Sequence, residues 1–324
     1  VLPETFPRIS FDGQGVCNYC LESQDREGRR QKAAEYKDRF DGLVSKYKGK
    51  TSYDALMCYS GGKDSTYTLA MLKEVYGLNV LAFTFDNGFV ANQASSNIRN
   101  VVERLGIDHM FFKPSFHVLA KIFRTCAVED IFPPKTLERA STICTSCMAI
   151  VKSSALRLAL EKDIPFIAFG WSPGQAPITS SIMHNNPGMV RMMQKTLFDP
   201  LHKIAGDDIR PYFLEEKHFS GSYRFPYNIH PLAFIDYNEE DIYRHISSFG
   251  WKAPQDVDAN STNCLLNSFA NVVHIQRFGF HPYACELANL VREGYLDRSS
   301  ALDKLALMEN PESTALAREK LGID

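Results

Sequence analysis

Neither sign of charge prevails in this chain of 324 residues, where 36 basic side chains face 38 acidic ones for a formal net charge of -2. That balance excludes recruitment of nucleic acid by overall basicity and leaves only local patches, such as Arg29-Arg30-Gln31-Lys32, for such a purpose. No apolar run approaches the roughly 18 to 20 residues that span a bilayer. The start lacks a charged-then-apolar leader pattern. No membrane partner and a cytoplasmic location are therefore expected, and the start at Val1 reads as a point inside a longer chain. Internal repeats and low-complexity tracts are missing too. So are two common phosphate-binding patterns, Gly-x-x-x-x-Gly-Lys-Ser/Thr and Gly-x-Gly-x-x-Gly.

What is present is an ordinary globular composition, 44% hydrophobic and 23% charged, in a chain long enough to bury a large core. Residues 1–28 hold Pro3, Pro7, Gly13, Gly15, Cys17 and Cys20 with little periodic hydrophobicity, so they are expected to form a small metal knuckle. Residues 29–51 carry Tyr36, Phe40, Leu43, Val44 and Tyr47 at helical spacing and read as a linker helix. From 52 to 235 strand-like runs alternate with helices: strands are expected at 55–59, 79–85, 109–112, 165–170 and 229–235. Such alternation predicts an α/β fold, a parallel sheet with helices on both faces. Residues 171–227 read as an insertion of short helices over the active face. Residues 236–324 read as a helical C-terminal region, with Asn238 a cap and Gly250 a stop.

The string Ser60-Gly61-Gly62-Lys63-Asp64-Ser65 follows the first strand and opens a helix. Two glycines let backbone N–H groups approach an anion, the helix N-terminus adds partial positive charge, and Ser60 and Ser65 add hydroxyls. Lys63 supplies a full charge and is expected to point at the ligand from a surface cleft. Asp64 beside phosphates makes sense as a partner of Mg²⁺, which is held by few carboxylates plus phosphate oxygens. The plain alternative is a serine-glycine turn between a strand and a helix.

The string resembles the PP-loop ATP pyrophosphatases. That resemblance implies the adenine nucleotide alpha hydrolase-like fold, binding of ATP and Mg²⁺ by residues 60–65, and Lys63 and Asp64 as catalytic residues. It also implies attack of a substrate carbonyl or amide oxygen on the α-phosphate with release of pyrophosphate. Asp86, ending the second strand in Phe85-Asp86-Asn87-Gly88, then falls where such enzymes contact the nucleoside, and Gly170 falls near the ATP pocket.

Four of the eight cysteines form two Cys-x-x-Cys pairs, which in a chain of this length speaks for metal or redox chemistry. Phe11-Asp12-Gly13-Gln14-Gly15-Val16-Cys17-Asn18-Tyr19-Cys20 resembles the N-terminal knuckle of the N-acetyl sugar amidotransferases and implies zinc at Cys17 and Cys20; the alternative is a metal-free turn. Cys144 and Cys147 followed by a distant Cys264 resemble the iron-sulfur tRNA 2-thiolation enzymes. Their pattern implies a [4Fe-4S] cluster on three thiolates with one iron open to an exogenous ligand. The alternatives are a structural zinc completed by a histidine such as His274, and ordinary buried cysteines. Cys58, Cys126 and Cys285 read as core residues.

Two enzymes and one non-enzyme remain in view: ATP-dependent sulfur insertion, amide or amidine synthesis on an N-acetyl sugar, and nucleotide sensing. The partners implied are a tRNA or small-molecule acceptor, a sulfur donor or a separate glutaminase, and a second copy in a homodimer.

Overall fold

A computed structural model describes residues 1–23, 26–258, 260–307 and 310–323. Helices α1 (Asn18–Leu21) and α2 (Arg26–Tyr47) precede strand β1 (Ala55–Cys58), and α3 (Lys63–Glu74) leads to β2 (Val80–Phe85). Then come α4 (Asn92–Leu105), β3 (Asp108–Phe112), α5 (Phe116–Val128), α6 (Thr142–Glu161) and β4 (Phe166–Phe169). Strand β5 (Ile182–His184) and helix α7 (Pro187–Ala205) precede β6 (Tyr227–Ile229). The chain closes with α8 (Glu239–Ser247), α9 (Leu266–Phe278), α10 (Ala284–Arg292), α11 (Arg298–Ala306) and α12 (Pro311–Leu321).

The strands form one sheet in the order β3-β2-β1-β4-β6-β5, parallel except for the antiparallel edge strand β5. Period-two alternation divides its side chains between two cores. Ala55, Met57, Val80, Ala82 and Phe166 face α2, α3, α4 and α8, while Leu56, Leu81, Phe83 and Ile167 face α6. The stripe Ala94, Ile98, Val101 and Leu105 seats α4, and Gly106 ends it at φ 58°. Chain order reverses between β1 and β4, which opens a crevice at their carboxyl ends, where open α/β sheets take their ligands.

The expected α/β class holds, with three local differences. The strand expected at 229–235 stops at Ile229 because Pro231, which cannot donate to a ladder, begins a 3₁₀ turn. The region expected to hold only short helices contains β5 and the 19-residue α7, started by the Asn186 cap and Pro187. Helix α9, directly after Cys264, was not separated from its surroundings by any cap or breaker pattern. One helix, α6, is long and apolar enough to cross a membrane by length and composition. It instead lies between the sheet and α5, α7 and α9, packing Ile143, Ile150, Ala155 and Ala159.

Gly170 fixes how β4 meets the N-terminus of α3. A Cβ there would stand 2.4 Å from Ser65 Cα and 2.5 Å from Ser65 N, backbone atoms that cannot swing away. Gly170→Ala is expected to cost about 1–3 kcal/mol, as overpacking does, and to weaken ATP binding. Thermal melts with calorimetric ATP titration check this, and an unchanged melt would refute the close approach.

Candidate functional site

The phosphate loop sits in the β1/β4 crevice. Gly61 adopts φ 76°, and a Cβ on it would meet the Ala94 carbonyl oxygen at 2.6 Å, so both backbone conformation and space require glycine. Ser60 Oγ and Ser65 Oγ lie 3.1 Å apart across the loop. The loop is covered rather than open: Thr262 Oγ1 accepts the Lys63 N–H at 3.1 Å and would lie 2.7 Å from a Cβ on Gly62.

Lys63 is buried, at 7% exposure, in contrast to the expected surface cleft. Its Nζ donates to Glu239 Oε1 at 2.5 Å and to Tyr237 Oη at 2.9 Å, and it stands 3.5 Å from Asp64 Oδ1. Tyr237 in turn donates to Asp64 Oδ1 at 2.9 Å. Burial opposes the charge on Lys63, but Asp64, Tyr237 and Glu239 outweigh it and hold the ammonium well above its ordinary pKa. Burial also raises Asp64. Asn238, which caps α8 by accepting from Glu240 N and Asp241 N, positions Tyr237 and Glu239 on either side of it. Tyr237 belongs to no recognisable string, so only the fold reveals its place beside Lys63.

Asp86 ends β2 as expected; its carboxylate accepts from Gly88 N at 2.8 Å and pairs with Lys113 at 3.1 Å. The next residue was overlooked in the sequence. Asn87 Nδ2 lies 3.6 Å from both Cys147 Sγ and Cys264 Sγ, although those cysteines are separated by more than a hundred positions. Cys144 Sγ is 3.9 Å from Asn267 Nδ2. Ser141 caps α6 by accepting from Cys144 N, placing Cys144 and Cys147 on consecutive turns. Cys264 is delivered by a bridge to Val90, flanked by Ala91 N to Asn263 O and Leu265 N to Phe89 O. Burial raises all three thiols, Cys144 to about 11, and each of Cys144 and Cys147 is raised further by Cys264.

Among the described residues no three His, Cys, Asp or Glu side chains are grouped closely enough to hold a single metal ion. A structural zinc at Cys144 is therefore without its ligand set. His274 packs between Phe278 and Phe280, its pKa pushed down to about 4 by burial. At the N-terminus Cys17 Sγ and Cys20 Sγ are 3.4 Å apart, but the third and fourth ligands of a tetrahedral zinc are missing among the described residues. The knuckle docks through Phe6 on Phe280 and Thr5 on the Gly279 carbonyl. Cys58 and Cys126 are both pushed up to about 12 by burial.

A further cation occupies the crevice. Lys152 on α6 places Nζ 4.1 Å over the Trp171 ring, which stacks on His230 at 4.3 Å and 5°. Trp171 follows β4, His230 follows β6 and Cys58 ends β1, so the group lines the carboxyl edge of the sheet. Burial lowers Lys152 to about 8, with Cys58 as its only opposing influence. An amine so poorly matched by the protein suits an anion.

No family model matches the chain. It is 22% identical over 304 residues to an uncharacterized protein of Methanocaldococcus jannaschii, covering 94% of this chain and 90% of that protein. It is 23% identical over 216 residues to the glutamine-hydrolyzing GMP synthase of Dictyostelium discoideum, a match spanning 60% of this chain and 28% of the synthase. Solved structures with similarity include the U34-tRNA thiolase NcsA from Methanococcus maripaludis with its [4Fe-4S] cluster, at 19% identity and TM-score 0.37 over 87% of this chain and 83% of that one. NMN synthetase from Francisella tularensis aligns at 13% identity and TM-score 0.38 over 93% and 98%. The resemblance to the PP-loop ATP pyrophosphatases is carried by Ser60 to Ser65 in their turn between β1 and α3.

Two predictions follow from the buried amines. Lys63→Met leaves Asp64 with Tyr237 and Glu239 with Lys304 as their remaining partners; because Glu239 is also 37% exposed, the expected loss lies at the low end of the about 3–5 kcal/mol for breaking a buried pair. Adding Glu239→Gln should restore the melting temperature without restoring pyrophosphate release, and recovery of turnover in the double variant would refute the role of Lys63. For Lys152 the folded pKa of about 8 lies below the ordinary 10.5. The unfolded chain thus binds more protons between those values, and stability rises with pH across that window. Lys152→Met should raise the melting temperature at pH 7, flatten that rise and weaken ATP·Mg²⁺ binding. Denaturant titrations at several pH values and calorimetry read all three effects.

Proposed function

We propose that the chain is an ATP pyrophosphatase that adenylates a carbonyl or amide oxygen and then replaces AMP with sulfur. One observation carries this reading: the segment Ser261-Thr262-Asn263-Cys264 touches both halves of the site. Thr262 rests on the phosphate loop while Cys264 shares Asn87 with Cys147. Chemistry at the α-phosphate and at the thiols would then occur in adjoining spaces.

In this reading the loop N–H groups and Lys63 bind the β- and γ-phosphates, exchanging contacts with Glu239 for contacts with phosphate. Asp64 would hold Mg²⁺, which offsets the repulsion between its carboxylate and the phosphates. Lys152 would meet the negative charge that develops at the α-phosphate, where a preorganised cation is most effective. Asp86 and Gly170 border the nucleoside side of the pocket.

The thiol group fits a [4Fe-4S] cluster better than a single ion. Cys147 Sγ and Cys264 Sγ each lie 3.6 Å from Asn87 Nδ2, while among the described residues no three such side chains are grouped closely enough to hold one ion. Three thiols raised by burial would be ionised by such a group, since a coordinated thiol loses its proton. Cys144, Cys147 and Cys264 would hold it, and it would supply an open iron to which sulfur can bind. Zinc at Cys17 and Cys20 is not part of the proposal.

The second reading, amide or amidine synthesis with ammonia from a glutaminase, rests on the same adenylation and on the N-terminal knuckle. The acceptor is a tRNA or a small amide-bearing metabolite. Anaerobically purified protein is expected to contain about four irons per chain, and Ala at Cys144, Cys147 or Cys264 should each remove most of it while ATP binding persists. Sulfide rather than ammonia should support product formation. Iron-free protein that turns over with ammonia would establish the second reading instead.

A further inference from the structure

Glu286 lies on α10 between the two halves of the site. Its Oε1 accepts from Ser172 Oγ at 2.6 Å, and Gln175 contributes a second hydrogen bond. Ser172 stands two residues beyond Gly170, which is pressed onto the Asp64–Ser65 backbone, and the charges of Asp64 and Lys63 both act on Glu286. On the other side, Tyr283 at the start of α10 reaches Asn267 Oδ1 at 3.4 Å, and Asn267 is the neighbour of Cys144. Tyr283 also feels the charges of both Glu286 and Cys144. Glu286 is thus linked to the phosphate loop through Ser172 and Gly170, and its helix to Cys144 through Tyr283 and Asn267.

The plainer role for Glu286 is to pin residues 171–175 to α10, where Asn289 Nδ2 also donates to the Gly174 carbonyl at 2.8 Å. A pin needs only a hydrogen-bond acceptor, and glutamine would serve. Here the two hydrogen-bond partners are a hydroxyl and an amide instead of a cation. Burial raises Glu286 to about 7, with Asp64 adding to the rise and Lys63 opposing it, while Tyr283 and Cys285 are the titratable neighbours on its own helix. Such a group exchanges its proton near neutrality, as acid–base residues do.

We propose that Glu286 takes up the N–H proton of an amide acceptor during adenylation and returns it when AMP is displaced. The inference rests on the adenylation reading and is independent of whether sulfur or nitrogen follows. In the first step the amide oxygen bonds to the α-phosphorus, the bond to pyrophosphate breaks, the C–N bond becomes C=N, and the nitrogen's proton passes to the Glu286 carboxylate. In the second step hydrosulfide, or ammonia, bonds to the carbon and the carboxyl returns its proton to the nitrogen. AMP then departs with the C–O bonding pair, and the proton left on the incoming atom goes to solvent. No oxidant or reductant enters.

Glu286→Gln keeps an acceptor for Ser172 and Gln175 and removes the proton carrier. With the full chain, ATP·Mg²⁺ and two amide-bearing probes, total tRNA and N-acetylglucosamine, wild-type pyrophosphate release should rise with pH to a plateau above about 7. The variant should bind ATP normally, release pyrophosphate about 10²- to 10⁴-fold more slowly and lack the acidic limb. In the protein alone, ¹³C-glutamate NMR should show one carboxyl titrating near neutrality that vanishes in the variant. A variant with the wild-type rate and pH profile, or no glutamate titrating above pH 6, would overturn the assignment. The adenylation reading fails separately, if pyrophosphate release survives Lys63→Met in the Glu286 background.

Discussion

The ammonium of Lys63 binds together segments that lie far apart along the chain, in addition to the apolar packing of α3 against α8. It begins α3 at the phosphate loop, yet its partners Tyr237 and Glu239 come from the connection into α8. Glu239 also reaches Lys304 of α11 at 3.3 Å, extending the network into the C-terminal region. A buried amine of this kind is tolerable only because two carboxylates and a phenol surround it. Those same carboxylates oppose a polyphosphate, so nucleotide binding must exchange one set of anionic partners for another. On the adenylation reading proposed above, Mg²⁺ on Asp64 would make that exchange favourable and would account for an acidic residue in the loop.

A second constraint is the layer laid over the loop by residues 260–264. Asp258 accepts from Asn260 N and Ser268 Oγ, fixing the turn that presents Thr262 and Cys264. From there α9 carries Asn267 beside Cys144, and Tyr283 returns to Asn267. The thiols and the phosphate loop are thereby joined through short polar contacts, so displacement of Thr262 by a phosphate would be felt at Cys264 two residues away.

The parts legible in the sequence were those encoded by contiguous residues. Ser60 to Ser65, the strand runs of the central sheet and the caps Asn238 and Gly106 each carry their signal locally, so a window of ten residues suffices. Strand β5 is only three residues long and has no alternation to detect, and α9 starts at Leu265 without a side-chain cap. Lys152, Tyr237 and Glu286, which carry no local signal, are single residues whose neighbours are supplied by distant segments. Lys63 was placed in an open cleft because the sequence cannot show which carboxylates will fold over it. His274 illustrates the reverse error: a histidine near a cysteine-rich stretch proved to be packed among phenyl rings.

Burial, rather than pairing, sets the charge state of most groups around this crevice. Cys144 near 11, Lys152 near 8 and Glu286 near 7 are each displaced toward their neutral forms chiefly by desolvation. A site filled with fixed charges would be costly to assemble and would bind a polyanion either too tightly or not at all. A site held close to neutrality can instead adopt the charge its ligand demands. The α-phosphate of ATP would hold the proton on Lys152, and the same negative field would strengthen the Glu286 carboxylate as acceptor of the amide proton while the phosphate chain is in place. Loss of pyrophosphate would then lower the affinity of both groups for protons at the moment the second step needs an acid. The order of the two chemical steps would thus follow from electrostatics already built into the apolar packing of β1, β4 and α6.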